Sequence, residues 1–261
     1  MKKIGKFLGV LLAVCMVITM NTVSAYTDSG VQDTKWDEYA ATEFAGGTGT
    51  KDDPYRIENG EQLAKLAKDV SAGNTHKGEY FRLEKDIDLS AHRWIPIGDY
   101  GGISYISFEG FLDGNCKTIS GMVVDQSKDK QSAGLFGYIF NTTAGNEVGV
   151  KDLTIANAAL YVDESIMVGP AQYVSAGILV AGSMANPGYK GTVVFENISV
   201  SGTITVKATK GSHKIGGLIG EDNRGIVRKC ATDVTITGAS NTGGMTGISC
   251  DTRFENCTAK G

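Results

Sequence analysis

The sequence is poor in the residues that carry most enzyme chemistry. It has three histidines, His76, His92 and His213, and none stands in a motif. No Ser-His-Asp arrangement can be argued from them. A Gly-x-Ser-x-Gly elbow, a phosphate-cradling Gly-Lys-Ser/Thr, a dinucleotide fingerprint and a His-Glu-x-x-His zinc motif are all missing. Flanked by polar or charged residues, the three histidines read as solvated loop residues. The five cysteines include no Cys-x-x-Cys, and Cys250 and Cys257 lie too far apart for a zinc knuckle. Basic runs are lacking too: the net charge is -4 and no basic-aromatic stripe offers itself to a phosphate backbone, so no nucleic-acid partner is expected.

What is present begins with glycine. There are 35 in 261 residues against four prolines; the glycine share is about double the usual ~7%. With many Ser and Thr, this fits short strands and tight turns. Residues 1–25 read as a secretory signal: Lys2, Lys3 and Lys6, then an apolar run from Phe7 to Met20, then Val23-Ser24-Ala25 before a cut at Tyr26. The run is too short and wrongly flanked for an anchor, so no membrane span is expected after signal cleavage. Cys15 follows Val14, where a lipoprotein signal wants a small residue. The remaining Cys116, Cys230, Cys250 and Cys257 are too few for a disulfide scaffold. Cys230 and Cys257 hold the same place in their repeats and read as small apolar residues stacked on one another.

The most informative feature is a recurring phrase. Gly134-Leu135-Phe136-Gly137 returns as Gly217-Leu218-Ile219-Gly220 and Gly244-Met245-Thr246-Gly247, with a looser copy from Gly177 to Gly182. Between leading glycines the period is 43, 40 and 27 residues. Each copy is followed by an alternating strand pattern: Val150-Lys151-Asp152-Leu153-Thr154-Ile155, Phe195-Glu196-Asn197-Ile198-Ser199-Val200, Val227-Arg228-Lys229-Cys230 and Phe254-Glu255-Asn256-Cys257. Irregular repeats of this length with strands inside them predict an all-β stacked solenoid, with Leu153, Ile198, Cys230 and Cys257 buried in one column.

Four segments follow from this pattern: the signal at 1–25, a flexible polar lead-in at 26–45, an N-terminal cap at 46–78, and the repeats at 79–261. In the cap, Leu63, Leu66, Ala67 and Val70 fall at helical spacing. Asn59 is the expected N-cap with Gln62 reaching back to it. The helix is placed to cover the first coil. Beyond it, Asp113-Gly114 reads as a turn dipeptide, and Ile198, Val200, Ile204 and Val206 share one parity. A strand pattern stops at Thr258-Ala259-Lys260-Gly261 with no capping segment, which suggests a fragment or truncated product of a longer protein, attached to the cell through the missing region or released.

Gly46-Gly47-Thr48-Gly49-Thr50, Asp53-Pro54-Tyr55, Ile57, Leu63 and Leu66 resemble the opening of bacterial secreted proteins that carry GLUG repeats. The likeness continues through Asp86-Ile87-Asp88-Leu89, Trp94-Ile95-Pro96-Ile97-Gly98, Phe108-Glu109-Gly110, Leu112-Asp113-Gly114-Asn115, Thr118-Ile119-Ser120-Gly121 and Gly134-Leu135-Phe136-Gly137. It covers roughly residues 44 to 261. The resemblance implies a right-handed parallel β-helix, here with a short N-terminal capping α-helix, on or released from a bacterial surface. Such repeats also occur in adhesin-like proteins and beside peptidases of the immunoglobulin A1 protease type, whose zinc motif this chain does not carry.

Two function classes stay open. The first is a secreted or cell-surface module for adhesion or recognition, without catalysis or cofactor. It would take a host or neighbouring-cell glycan or protein through Tyr100, Tyr105, Tyr161, Tyr173 and Tyr189 on long loops. The second is a carbohydrate-active β-helix enzyme, a polysaccharide lyase or glycoside hydrolase. It would use Asp86, Asp88 and Asp113 as paired carboxylates or as a calcium site, with Lys85 or Arg93 as the cation. Asp113 as a turn former, and Asp86 and Asp88 as outward residues beside Ile87, are the plainer assignments. The first class is favoured because loops are evident and a convergent acid-base set is not.

Overall fold

The computed structural model describes residues 32–99, 105–129, 132–163, 173–186, 188, 191–207, 212–239 and 242–261. The expected signal at 1–25, with Tyr100 and Tyr189, lies outside them. Val31–Gly261 forms one compact unit, mostly β, in which every named strand pairs in parallel.

The strands recur in order. In the longest sheet Tyr55–Ile57, Tyr80–Leu83, Phe111–Ser120, Val148–Asp163, Val193–Lys207, Gly225–Arg228 and Arg253–Glu255 each hydrogen-bond to the next. A second sheet runs Phe136–Asn141, Val180–Ala185, Ile219–Asn223, Thr246–Cys250, and a third runs Tyr173–Ala176, Ser212–Gly216, Thr242–Gly243. Each repeat thus satisfies the strand edge that the preceding repeat leaves open.

Four residues explain how a repeat turns. In Val150-Lys151-Asp152-Leu153, Phe195-Glu196-Asn197-Ile198 and Val227-Arg228-Lys229-Cys230 the first and last residues are buried. The second faces out. The third takes the left-handed conformation, with φ of 52° at Asp152, 54° at Asn197, 53° at Lys229 and 52° at Asn256 of the last copy. Short Asn and Asp enter this region most readily among residues with a side chain. The corner lets the fourth residue point inward like the first, so one long strand can serve two faces. Past it, Val193–Lys207 pairs with Ala231–Thr237. Val200, Ile204 and Val206 are buried on the expected parity. The column expected through Leu153, Ile198, Cys230 and Cys257 is in register: Ile198 opposes Leu153, and Ala231 opposes both Ser199 and Thr258. Leu153, Ile198 and Cys230 are buried, whereas Cys257 is only half-buried.

The turn expected at Asp113-Gly114 is displaced by one residue. Positive φ falls on Asn115 (50°) and Cys116 (57°). Gly114 serves contact instead, because a Cβ there would stand 2.5 Å from the Asp152 carbonyl oxygen. The repeated glycine phrase is a stacked corner of the second sheet. Phe136, Val180, Ile219 and Thr246 are opposite one another. The looser copy is therefore offset by one: Leu179 matches Leu135 and Ala181 matches Gly137, so Gly177 is not the leading position. A Cβ on Gly137 would lie 2.1 Å from the Gly98 carbonyl oxygen, so Gly137 admits no side chain, whereas its counterpart Ala181 carries a methyl.

Helix α1 spans Gly60–Ser71 and buries Leu63, Ala64, Leu66, Ala67 and Val70 in the same core as Ile57 and Leu83. Each fully buried Leu or Val contributes about 1.5–3 kcal/mol relative to exposure. Asn59 caps it by accepting from Gln62 N at 2.9 Å. Gln62 reaches back as expected, but one residue further, accepting from Glu58 N at 2.7 Å.

From Gln32 onward the lead-in is structured rather than flexible. Gln32–Lys35 pairs with His92–Arg93, and a 3-10 turn at Trp36–Tyr39 buries Trp36, whose indole N–H donates to Leu89 O at 3.0 Å. Arg93 is buried between Asp33 at 2.8 Å and Asp129 at 2.9 Å. One large aromatic ring and one clamped guanidinium hold the segment, and neither produces a periodic signal.

The histidines also depart from expectation. His76 and His213 are buried, and His92 stacks on Tyr39 at 4.0 Å between ring centroids. His76 Nδ1 lies 2.6 Å from Glu79 Oε2 and its ring packs on Phe81. These are packing roles.

Candidate functional site

Strand alternation puts two columns of side chains on the outer face of the longest sheet. One is charged throughout: Arg56, Arg82, Asp113, Lys151, Glu196, Arg228 and Glu255 oppose one another in sequence. Like charges one strand apart repel, whereas opposite charges contribute about 0.2–1 kcal/mol per pair. From Arg82 on, the signs alternate. Lys151 Nζ is 3.1 Å from Asp113 Oδ2, and Arg228 Nη2 is 2.6 Å from Glu196 Oε2. The one like-charged step is relieved sideways: Arg56 bonds to Asp53 at 2.8 Å and Arg82 donates to Asn115 Oδ1 at 2.9 Å.

The second column is apolar although it faces out. It runs Tyr80, Phe111, Gly149, Val194, Ile226. Tyr80 and Phe111 have ring centroids 6.1 Å apart. Gly149 then interrupts the row. Its φ is 143°, and a Cβ would stand 2.0 Å from the Val194 carbonyl oxygen, so no side chain can fill the gap.

Between the two columns lies an open groove of about 340 Å³, edged on its other side by Lys51 and Glu147. Lys51 comes from the turn before Tyr55 and Glu147 from the segment entering the Val148 strand. Their side chains meet at 2.7 Å, and the Tyr80 hydroxyl donates to the same Glu147 oxygen at 3.3 Å. The Lys51 hydrogen bond and charge hold Glu147 below the usual carboxylate range, and Arg228 does the same for Glu196. Burial, then the Glu147 charge, pushes the Tyr80 hydroxyl up. At neutral pH both glutamates are anions paired with cations, and neither is a proton donor. One carboxyl is raised, by burial: Asp222, on the second sheet, enclosed by Ser183, Thr252 at 2.6 Å and Gly225 N at 3.0 Å.

The structure separates the residues singled out from sequence. Asp86 Oδ1 accepts from Thr118 N at 2.8 Å, and Asp88 Oδ1 accepts from Ser90 N at 2.9 Å. Asp88 thus closes a local turn and Asp86 holds the backbone of the strand Phe111–Ser120, while Asp113 alone of the three lines the groove. Among the described residues no group of three or more His, Cys, Asp or Glu is placed to hold a metal ion. Of the tyrosines singled out, three lie among the described residues. Tyr161 lies within a strand opposite Thr205 and Asp125, and Tyr173 opens another strand. Tyr105 is on a loop, exposed, with its ring 5.2 Å from that of Tyr138. Tyr80 and Phe111 were missed as site residues. Their signal was an apolar residue on the polar parity of Tyr80-Phe81-Arg82-Leu83 and Phe111-Leu112-Asp113.

No protein-family model matches the chain. It is 37% identical over 102 residues, 37% of its length, to a protein of Evansella cellulosilytica called a Gly-rich membrane protein. Over 195 residues, 72% of its length, it is 31% identical to halomucin of Haloquadratum walsbyi. The chain spans 11% and 2% of the length of these relatives. A Bacteroides ovatus crystal structure called an immunoglobulin A1 protease aligns with TM-score 0.48 and 19% identity, over 83% of this chain and 68% of that one. Among the described residues no helix is long and apolar enough to cross a membrane.

Proposed function

We propose that the chain is an exported, non-catalytic recognition module of the cell surface, a right-handed parallel β-helix of GLUG-like repeats that binds a glycan or protein on its lateral face. The observation that carries this reading is the groove between the apolar and charged columns. It combines half-buried aromatic rings with fixed polar groups, the usual composition of a recognition site. The parallel, sequential pairing of every repeat supports the β-helix, and the two relatives, one called a membrane protein, support the surface location. The chemistry of the groove fits binding: Lys51 and Arg228 hold Glu147 and Glu196 as anions, so neither of these two is the protonated carboxyl that a glycoside hydrolase keeps as its acid.

The test is to incubate the purified chain with acidic and neutral polysaccharides and with surface proteins, with and without calcium. Saturable binding without product is expected. Release of reducing ends or unsaturated products, lost on Asp113→Asn, would replace this reading with the carbohydrate-active enzyme.

A further inference from the structure

The groove also carries information about the chemistry of its occupant. Its charged lining consists of Lys51, Lys151 and Arg228 against Asp113, Glu147 and Glu196. Each cation is paired with a carboxylate across the groove wall: Lys51 with Glu147, Lys151 with Asp113, Arg228 with Glu196. The wall is therefore electrically balanced and mixed at the scale of single side chains. A polyanion would face three carboxylates, and a polycation three cationic groups. A ligand rich in hydroxyls meets no such conflict, because each hydroxyl both donates and accepts. Three donors on an ammonium and about four lone-pair sites on a carboxylate leave capacity after one ion pair is made.

The floor specifies shape. Tyr80 and Phe111 stand on successive rungs, which lie about 4.8 Å apart in a sheet, and Val194 two rungs beyond Phe111, with the Gly149 gap between them. A linear chain of rings laid along the stacking direction would find an apolar face and then a recess. Resting on the recognition reading above, we propose that the groove takes a neutral polysaccharide strand, with sugar rings over Tyr80 and Phe111 and hydroxyls against the paired charges.

Affinity electrophoresis of the full chain tests this, in native gels containing hydroxyethylcellulose, laminarin, galactomannan or mannan, and in parallel gels containing polygalacturonate or chitosan. Retardation by at least one neutral polymer is expected, unchanged between low and moderate salt since no net charge is neutralised. Tyr80→Ala and Phe111→Ala should each weaken it roughly tenfold, the scale of one lost ring contact, and Tyr105→Ala should leave it unchanged. Phe111→Leu, which keeps the apolar volume but removes the flat face, guards against a variant that fails to fold, with thermal unfolding as the control. Retardation only by polygalacturonate or chitosan, or binding abolished by salt, overturns the neutral-glycan assignment and leaves the recognition module standing. No retardation by any neutral polymer overturns it as well, and capture of a protein ligand in its place would keep the module alone. Product release from the polymer would instead overturn the non-catalytic reading.

Discussion

Phe195-Glu196-Asn197-Ile198 and Phe254-Glu255-Asn256-Cys257 are almost the same four residues, and they do different work. Both make the same corner, with φ of 54° at Asn197 and 52° at Asn256. In the central copy Phe195 and Ile198 are no more than 1% exposed. In the last copy Phe254 is 41% exposed and Cys257 is half-buried. Local geometry is therefore written in the four residues themselves, whereas burial is supplied by the repeats on either side. Val193–Lys207 has partners on both edges, Val148–Asp163 and Gly225–Arg228; among the described residues Arg253–Glu255 pairs on one.

The harshest way to break this comparison is to place a charge in the shared column. Ile198→Asp leaves an unpaired carboxylate among apolar neighbours. It is expected to remove most of a typical ~5–15 kcal/mol stability margin, seen as loss of a cooperative urea transition. Cys257→Asp should cost less than about 1 kcal/mol. Equal effects would show that the two copies are not separated by burial. Next in size, Phe195→Ala should cost about 3–5 kcal/mol and Phe254→Ala well under half of that, read from the shift in urea midpoint. The corner should behave in the opposite manner, since it is local: Asn197→Val and Asn256→Val both force a β-branched residue into the left-handed region, and each should cost about 1–3 kcal/mol. A large difference between those two would mean that the corner is held by its neighbours after all. The smallest effect concerns the charge of the central copy. Arg228 holds the Glu196 pKa below its ordinary value, so the folded state favours the anion. That contribution is complete above the unfolded value, near ~4.3, and is lost as pH falls through the depressed folded one. Glu196→Gln should flatten the acid side of a melting profile taken from pH 7 to 3. Asp222 contributes with the reverse sign, because burial raises its carboxyl.

Much of the fold was legible because repetition is visible without a structure. The helix at Gly60–Ser71, its Asn59 cap and the column through Leu153, Ile198 and Cys230 follow from 3.6- and 2-residue periods. What escaped has no period. Trp36 anchors a polar segment through one ring and one hydrogen bond. The offset of the copy at Gly177 is a single-residue shift in register, which a glycine phrase alone cannot report. His76 looked solvated because its neighbours in sequence are polar; its neighbours in space are Phe81 and Phe44. The groove was the least legible part. Lys51 and Glu147 are 96 residues apart in the chain, before the first and the fourth strands of the longest sheet, and meet only because the strands stack. The candidate aspartates stand out as carboxylates, yet Asp86 and Asp88 are spent on backbone N–H groups, one of the next strand and one of a local turn.

The pairing of each strand with its counterpart in the next repeat has a mechanical consequence. The hydrogen bonds between repeats point along the stack, so a load applied along it pulls on them directly rather than shearing them. Strands loaded in that direction separate rung by rung, like a zipper, and resist less than strands slid past one another. Under tension the molecule would pay out length in steps of one repeat at a time. Those steps differ: twenty-seven residues separate Ile219 from Thr246, against 44 between Phe136 and Val180. A chain paired this way lengthens under force in unequal steps.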